Sequence, residues 1–386
     1  MALQLIFDRK ERTIFVEDPS TKDILRTSYF GNIVKGRLIL RPEEALYVID
    51  VRKAACKDVE GNEIRFNNLA EAFDSDKLMA RYFTYKDWRD RGLVIRYESD
   101  KTMPGTRPQH IKKYNSSDLK LKGHKLSGVF YPGDMITVID DPENAGAIYK
   151  EQWFGQYGTY KLQEHGSLNK LDIFETVFLI DNGILDVTNT TRKKIVEVAT
   201  ERRADFPKLY DVYADWRSRG YVIKTGFKFG THFRVYFPGA QPGSGSKWLH
   251  SLHVIHVFPR DAKLLISEWS RAIRVAHSVR KTFILAIPGK SRTKKLDIDF
   301  VLYHRQNGGI ETPNDSAPKF GMLSLSEDEY IGGAELSAII NKAKENKQEL
   351  IAAIADRETA VTHYKIRKIE LQGSDYEYYE VDWMQP

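Results

Sequence analysis

The chain has a single cysteine, Cys56, in 386 residues. A lone thiol closes no internal disulfide and builds no thiolate zinc cage, so the disulfide-stapled secreted scaffolds and the zinc-finger classes are excluded, and an intracellular protein is expected. Long apolar runs are also missing. No segment reaches the ~18–20 consecutive apolar residues of a membrane helix, and the longest stretches, 283–287 and 350–355, are strand-sized. At the N-terminus LQLIF (3–7) comes before DRKER (8–12), whereas a signal peptide puts its charge ahead of a longer apolar stretch. A soluble cytoplasmic protein is therefore expected. Charge of one sign is in only slight excess. The net +6 is a mild bias toward anionic partners and identifies none. What is present suffices for packed cores: 41% hydrophobic and 12% aromatic residues exclude a disordered chain, and the length is that of two or three domains.

The chain repeats itself. YFTYKDWRDRGLVI (82–95) and YDVYADWRSRGYVI (210–223) are identical at nine of fourteen positions, at an offset of 128. Upstream, EALYVID (44–50) resembles ETVFLID (175–181) at an offset of 131, and Phe30-Gly31 resembles Phe154-Gly155 at 124. Three matches in one order at nearly one offset indicate a duplicated unit, far longer than the ~20–50 residues of a solenoid repeat. The first copy then breaks down into a stretch rich in Pro, Gly, Ser and Asp, a linker in composition.

The second copy continues in a readable layout. Residues 215–220 end a helix, with arginines in the last turn and a glycine stop. Strands are expected at 221–223, 233–237 and 252–258, separated by a Gly/Ser/Pro-rich loop from Pro238 to Lys247. Leu265, Trp269, Ile273, Ala276 and Val279 recur at helical spacing. Phe283–Ile287 is a buried strand, and 296–303 a final one. Helix, strand, turn and strand then recur at 336–343, 350–355, 356–358 and 361–366, which reads as a third, partial copy. Between them a loop, 308–318, carries Glu311 and Asp315.

The densest constellation of reactive side chains is GFKFGTHFRVY (226–236), His250-Ser251 and RVAHSVRK (274–281). Together, in this order and spacing, they resemble the archaeal tRNA-splicing endonucleases, closely over residues 206–303 and more loosely in the N-terminal halves of both copies. The whole resembles that family's three-unit form. The resemblance implies a mixed α+β fold of tandem units, each with a small N-terminal α+β domain and a restriction-endonuclease-like domain of mixed sheet flanked by helices. On this division residues 1–100 are a degenerate first unit with a truncated C-terminal domain, 101–126 a linker, 127–205 the N-terminal domain of the second unit, 206–305 its catalytic domain, and 306–386 a structural unit without catalytic residues.

Carried over by position, the resemblance puts the family's catalytic tyrosine on Tyr236, its histidine on His250 and its lysine on Lys281. The implied reaction is metal-free RNA cleavage by the neighbouring 2′-hydroxyl, which requires a base, an acid for the departing 5′-oxygen and a cation for the phosphorane. An imidazole, with its ordinary pKa of ~6.5, suits the acid. A phenol, with its ordinary pKa of ~10, acts as a base only beside positive charge, and Lys281 supplies that charge in this reading. His250, His253 and His256 invite a metal reading, but His250 and His256 lie ~20 Å apart on a straight strand and His253 faces the other way. No metal and no cofactor is expected.

The resemblance also matches Arg274 to an arginine that stacks on a flipped-out base. The second copy carries a longer insert, WFGQYGTYK (153–161), whose interleaved aromatics and lysine suit RNA, so Lys161 is an expected RNA contact. The family docks an acidic loop of one unit into a basic pocket of another, and Glu311 and Asp315 are the candidate acids. The implied partners are a precursor tRNA with a bulge–helix–bulge motif and a second copy of the chain; no membrane partner is expected. Two other readings stand beside this one. A non-catalytic RNA-binding scaffold is disfavoured by Tyr236, His250 and Lys281 occurring together. A DNA nuclease needs clustered carboxylates for magnesium, which the second copy does not offer near its motif.

Overall fold

The computed structural model describes residues 3–73, 75, 77–100, 111–158, 165–242, 250–289, 297–306 and 308–386. Two small α+β domains flank one large mixed sheet. The first small domain orders its strands Asn32–Val34, Arg37–Leu40, Thr13–Val16, Gln4–Asp8 and Ala55–Asp58. The second orders Asn169–Asp172, Ile136–Ile139, Leu126–Tyr131 and Leu185–Val187. In both, antiparallel pairings, three in the first domain and two in the second, lead to a parallel edge strand, so the repeat seen in sequence is a repeat of topology. Among the described residues no helix is long and apolar enough to cross a membrane.

The repeated YxxYxDWR motif forms the helices Leu78–Asp90 and Phe206–Arg217. Leu78, Tyr82, Tyr85 and Trp88 recur every three or four residues and are buried, as are Phe206, Leu209, Tyr213 and Trp216, which gives each helix one apolar face. Each helix stops at a glycine with positive φ, Gly92 and Gly220.

Among the described residues the large sheet has eleven strands. Ten run in the order Val222–Thr225, Phe233–Tyr236, His253–Val257, Thr282–Ile287, Glu377–Met384, Val361–Leu371, Glu349–Ala355, Phe320–Ser326, Phe300–Leu302 and Ile95–Tyr97, and Lys112–Tyr114 pairs with Val361–Leu371. The order is symmetric about the contact between the two longest strands. Each half reads, from its edge inward, antiparallel, antiparallel, parallel, antiparallel. The helices Ile266–Ser278 and Gly333–Glu345 pack on the two halves, as do the DWR helices Phe206–Arg217 and Leu78–Asp90.

This symmetry alters the expected division of the chain. Phe300–Leu302, expected to close the 206–305 domain, pairs instead with Ile95–Tyr97 and Phe320–Ser326. The C-terminal domain expected to be truncated at residue 100 is thus completed by strands between Phe300 and Leu371, which follow the second unit in the chain, while the last strand, Glu377–Met384, returns to pair with Thr282–Ile287 in the second unit's half. A three-residue strand has no periodicity to read, and a partner some 200 residues away leaves no local trace.

Each small domain is locked to its half of the sheet by one buried carboxylate. Glu175 accepts from the Gly155 amide (3.0 Å), the Asp172 amide (3.1 Å) and the Lys224 ammonium (2.5 Å). Glu44 accepts from Gly31 (2.9 Å) and Arg41 (2.9 Å), with Arg96 at 3.8 Å. A guanidinium adjoins each lock: Arg217 stands over the Phe154 ring and Arg89 over Phe30, both at 3.9 Å. A side chain at Gly155 (φ +78°) would place its Cβ 1.7 Å from Asn169 Oδ1, so this approach requires glycine. Replacing Lys224 with methionine leaves Glu175 buried without its cation. A loss of about 3–5 kcal/mol is expected in urea unfolding, and an unchanged midpoint would contradict the assignment.

Candidate active site

Sheet register brings the motif residues to one end of one half. Val235 lies opposite His253, and His253 beside Thr282. One step further along the same three chain segments come Tyr236, Leu252 and Lys281. Two strand spacings put Tyr236 and Lys281 roughly 10 Å apart at the backbone. The Lys281 ammonium donates to the Ser251 carbonyl and to Ser251 Oγ (3.1 Å), which fixes it one residue from His250. It also stands over the Phe229 ring at 4.5 Å. Burial lowers the Lys281 pKa, and the Arg234 charge lowers it further. His250 is exposed.

Tyr236 is buried between two groups. The Trp153 ring packs on it, tilted by 40°, at 4.8 Å between centroids, and Arg234, on the same face of its strand, has its guanidinium 5.7 Å from the tyrosine ring. Trp153 comes from the second small domain, where it caps the helix Pro142–Gln152 in the left-handed conformation. The Glu175 lock therefore positions one wall of this site. Trp153 stood in the sequence as part of an expected RNA-binding insert, and its packing on Tyr236 was not legible there.

The other expected residues are dispersed. Arg274 is exposed on the helix Ile266–Ser278, seven residues and so roughly 10 Å along the helix from Lys281. Lys161 lies outside the described residues. Glu311 is buried; its amide donates to the His304 carbonyl (3.0 Å) and its carboxylate accepts from the His304 amide (3.5 Å). Asp315 is exposed and accepts from the Thr312 amide (2.9 Å) and the Ser316 hydroxyl (2.8 Å). Hydrogen bonds from Thr312 and Ser316 lower its pKa.

The other half of the sheet carries a matching row that sequence reading missed. Ile223 faces Val235, and Ile95, its repeat partner, faces Leu302. The Tyr303 amide donates to the Val94 carbonyl (3.0 Å), so Tyr303 holds the place of Tyr236. Thr282 corresponds to Glu349 by register, so Lys281 corresponds to Gln348. Their neighbours Arg280 and Lys347 share a positive φ of 55° and 56°. Lys347 therefore lies one residue before the place of Lys281. Counted back from the strand, His250 corresponds to Ala317. A tyrosine is present in this half, while the histidine and lysine places are taken by Ala317 and Gln348.

Residues 206–297 match the family profile of the tRNA intron endonuclease, catalytic C-terminal domain. A tRNA-splicing endonuclease of Methanosarcina acetivorans is 34% identical over 362 residues, spanning 78% of this chain and 99% of the relative. That of Methanococcoides burtonii is 25% identical over 355 residues, 77% of this chain and 99% of its own. That of Thermococcus gammatolerans is 36% identical over 165 residues, 41% of this chain and 89% of the relative.

Among the described residues no group of three or more His, Cys, Asp or Glu side chains is arranged to hold a metal ion. The histidines behind the site are packing groups. His253 sits edge-on to Tyr114 and Phe237 (5.7 and 5.1 Å). His256 lies 4.6 Å from the His232 ring, and His232 Nδ1 accepts from the Val257 amide (2.9 Å). His277 Nε2 contacts the Val381 carbonyl at 3.1 Å. Burial holds His253 and His256 down to about 4, and His232 to about 2. Between ~6.5 and these values the unfolded chain binds protons that the folded chain refuses. The stability these groups lend is full above pH ~6.5 and is lost as pH falls toward 4, at about 1.4 kcal/mol per histidine per pH unit. The urea midpoint should fall markedly between pH 7.5 and 5.5; equal midpoints would contradict this.

Proposed function

The chain belongs to the tRNA-splicing endonuclease family, and we propose that it cleaves precursor tRNA at the intron boundaries of bulge–helix–bulge motifs without a metal ion. In this reading the 2′-oxygen beside the scissile bond attacks phosphorus as Tyr236 takes its proton. The bond to the 5′-oxygen breaks, and His250 protonates that oxygen. The products carry 2′,3′-cyclic phosphate and 5′-hydroxyl ends. Lys281 stabilises the charge on the phosphorane, where a fixed cation acts on the transition state more than on the ground state. The observation that carries the reading is the row Tyr236–Leu252–Lys281 at one sheet end, with His250 next to the serine that holds the lysine. Arg234 adds positive charge beside the phenol, in the direction that favours its ionised form.

Arg274 and Lys161 serve as RNA contacts, and two chains pair so that one site per chain meets the two splice sites of one intron. The loop carrying Glu311 and Asp315 docks on the partner. Glu311 shapes the loop through His304, and Asp315 is its exposed acid.

The test is incubation of the protein in EDTA with a bulged precursor tRNA and with duplex DNA, followed by analysis of the ends. Cleaved RNA with cyclic phosphate is expected. Intact RNA would turn the reading toward a binding scaffold, and metal-dependent DNA cutting toward a different nuclease. Tyr236→Phe, His250→Ala and Lys281→Ala should each lower single-turnover cleavage by about 10²–10⁴-fold. Joint replacement of Glu311 and Asp315 should yield monomers on a sizing column; intact dimers would exclude that loop as the docking element. Lys161→Ala should narrow the range of bulged substrates cut, and unchanged cleavage of all of them would remove Lys161 from the interface.

A further inference from the structure

Three large apolar side chains ring the site and face solvent: Phe227 at 86% exposure, Leu252 at 62% and Val279 at 46%. Each lies within two residues of a group that touches the Lys281 ammonium. Phe227 is two residues before Phe229, Leu252 follows Ser251, and Val279 is two before Lys281 itself. Leu252 also occupies the middle of the row between Tyr236 and Lys281, its carbonyl accepting from the Thr282 amide (2.9 Å).

Phe227 is held out on a rigid turn. It opens the 3-10 helix Phe227–Phe229, whose other end is anchored by Phe229 against the core. The turn is bounded by Gly226, where a Cβ would come within 2.5 Å of Thr231 Oγ1 and 2.8 Å of the Phe233 backbone, and by Gly230 at φ +64°. The Phe227 amide donates to Thr225 Oγ1 (3.3 Å). Burying a phenylalanine is worth about 1.5–3 kcal/mol, and a side chain this exposed on a turn this constrained contributes nothing of the kind to the fold.

The other half of the sheet is an internal control. By register Leu252 corresponds to Lys319, and the helix-capping Val279 corresponds to the capping Asn346. The half with Gln348 and Ala317 in the site positions is polar where the Tyr236 half is apolar. The exposed apolar rim therefore goes with the reactive set and not with the scaffold.

From this we infer that Phe227, Leu252 and Val279 form a base-binding rim, on which an unpaired RNA base next to the cleaved phosphodiester stacks, with Phe227 as the principal face. Exposed cations adjoin it at Lys228, Arg280 and Arg274, which suits a polyanion with a flat apolar base and not an apolar protein face. Every base has such a face, so the rim acts on any unpaired base and selects against paired ones. The inference rests on the endonuclease reading above.

The experiment compares single-turnover cleavage by the wild type, Phe227→Ala and Phe227→Trp on a bulged precursor tRNA and on the same RNA made abasic at the unpaired position. Phe227→Ala should raise the half-saturating RNA concentration about ten- to a hundredfold with the saturating rate largely kept, and Phe227→Trp should restore it. On abasic RNA the wild type and Phe227→Ala should converge. The double variant Leu252→Lys with Val279→Asn, which installs the residues of the other half, should also weaken binding. Wild-type cleavage with no change in Phe227→Ala, or a penalty that persists undiminished on abasic RNA, would overturn this inference alone. Failure of the wild type to cleave would overturn the endonuclease reading and this inference with it.

Discussion

The buried Glu175 carboxylate is the contact on which the site's geometry depends. It closes the capping box of the helix Ile173–Asp181, accepts from Gly155 and pairs with Lys224. Those three partners belong to a helix and a loop of one domain and to a strand of another. A buried charge left without its partners is strongly destabilising, so the domains have one low-energy way to meet. That fit puts Trp153 on Tyr236. The first unit repeats the device with Glu44, Gly31 and Arg96, and the two assemblies share the large sheet.

The duplication separates scaffold from chemistry. Both halves keep the DWR helix, the left-handed residue before the inner strand, and a tyrosine at the same register position. They differ in what surrounds that tyrosine. Tyr236 has Lys281, His250 and Arg234 nearby, whereas Tyr303 has Gln348 and Ala317 at the corresponding positions. It is fully buried, its hydroxyl has no hydrogen-bond partner, and burial pushes its pKa up to about 12. Burial outweighs the Arg96 charge that would favour the ionised phenol there. On the proposed reading, the difference between an active and an inert half thus lies in a few side chains on a common backbone.

Much of this was legible in the sequence because the relevant signals are local. The helical spacing of Tyr82, Tyr85 and Trp88, the glycine stops and the RVAHSVRK helix end each declare themselves within a dozen residues. The motif that carries Tyr236, His250 and Lys281 was likewise readable as a set. What stayed hidden is non-local. The pairing of Ile95–Tyr97 with Phe300–Leu302, and with it the role of Tyr303, appears only in the sheet register. The interdomain lock uses Arg96 in one copy and Lys224 in the other, so no shared motif marks it. In sequence Phe227 reads as one more aromatic of a strand pair, and only its exposure sets it apart.

The central claim is that one half of the sheet carries the chemistry through Tyr236 and the other half none through Tyr303. Single-turnover cleavage of a bulged precursor tRNA by Tyr236→Phe and by Tyr303→Phe tests it most directly. The account predicts that Tyr236→Phe loses cleavage at both splice sites by orders of magnitude, while Tyr303→Phe cuts both at the wild-type rate. Residual cleavage of one splice site in Tyr236→Phe that disappears when Tyr303→Phe is added would contradict it.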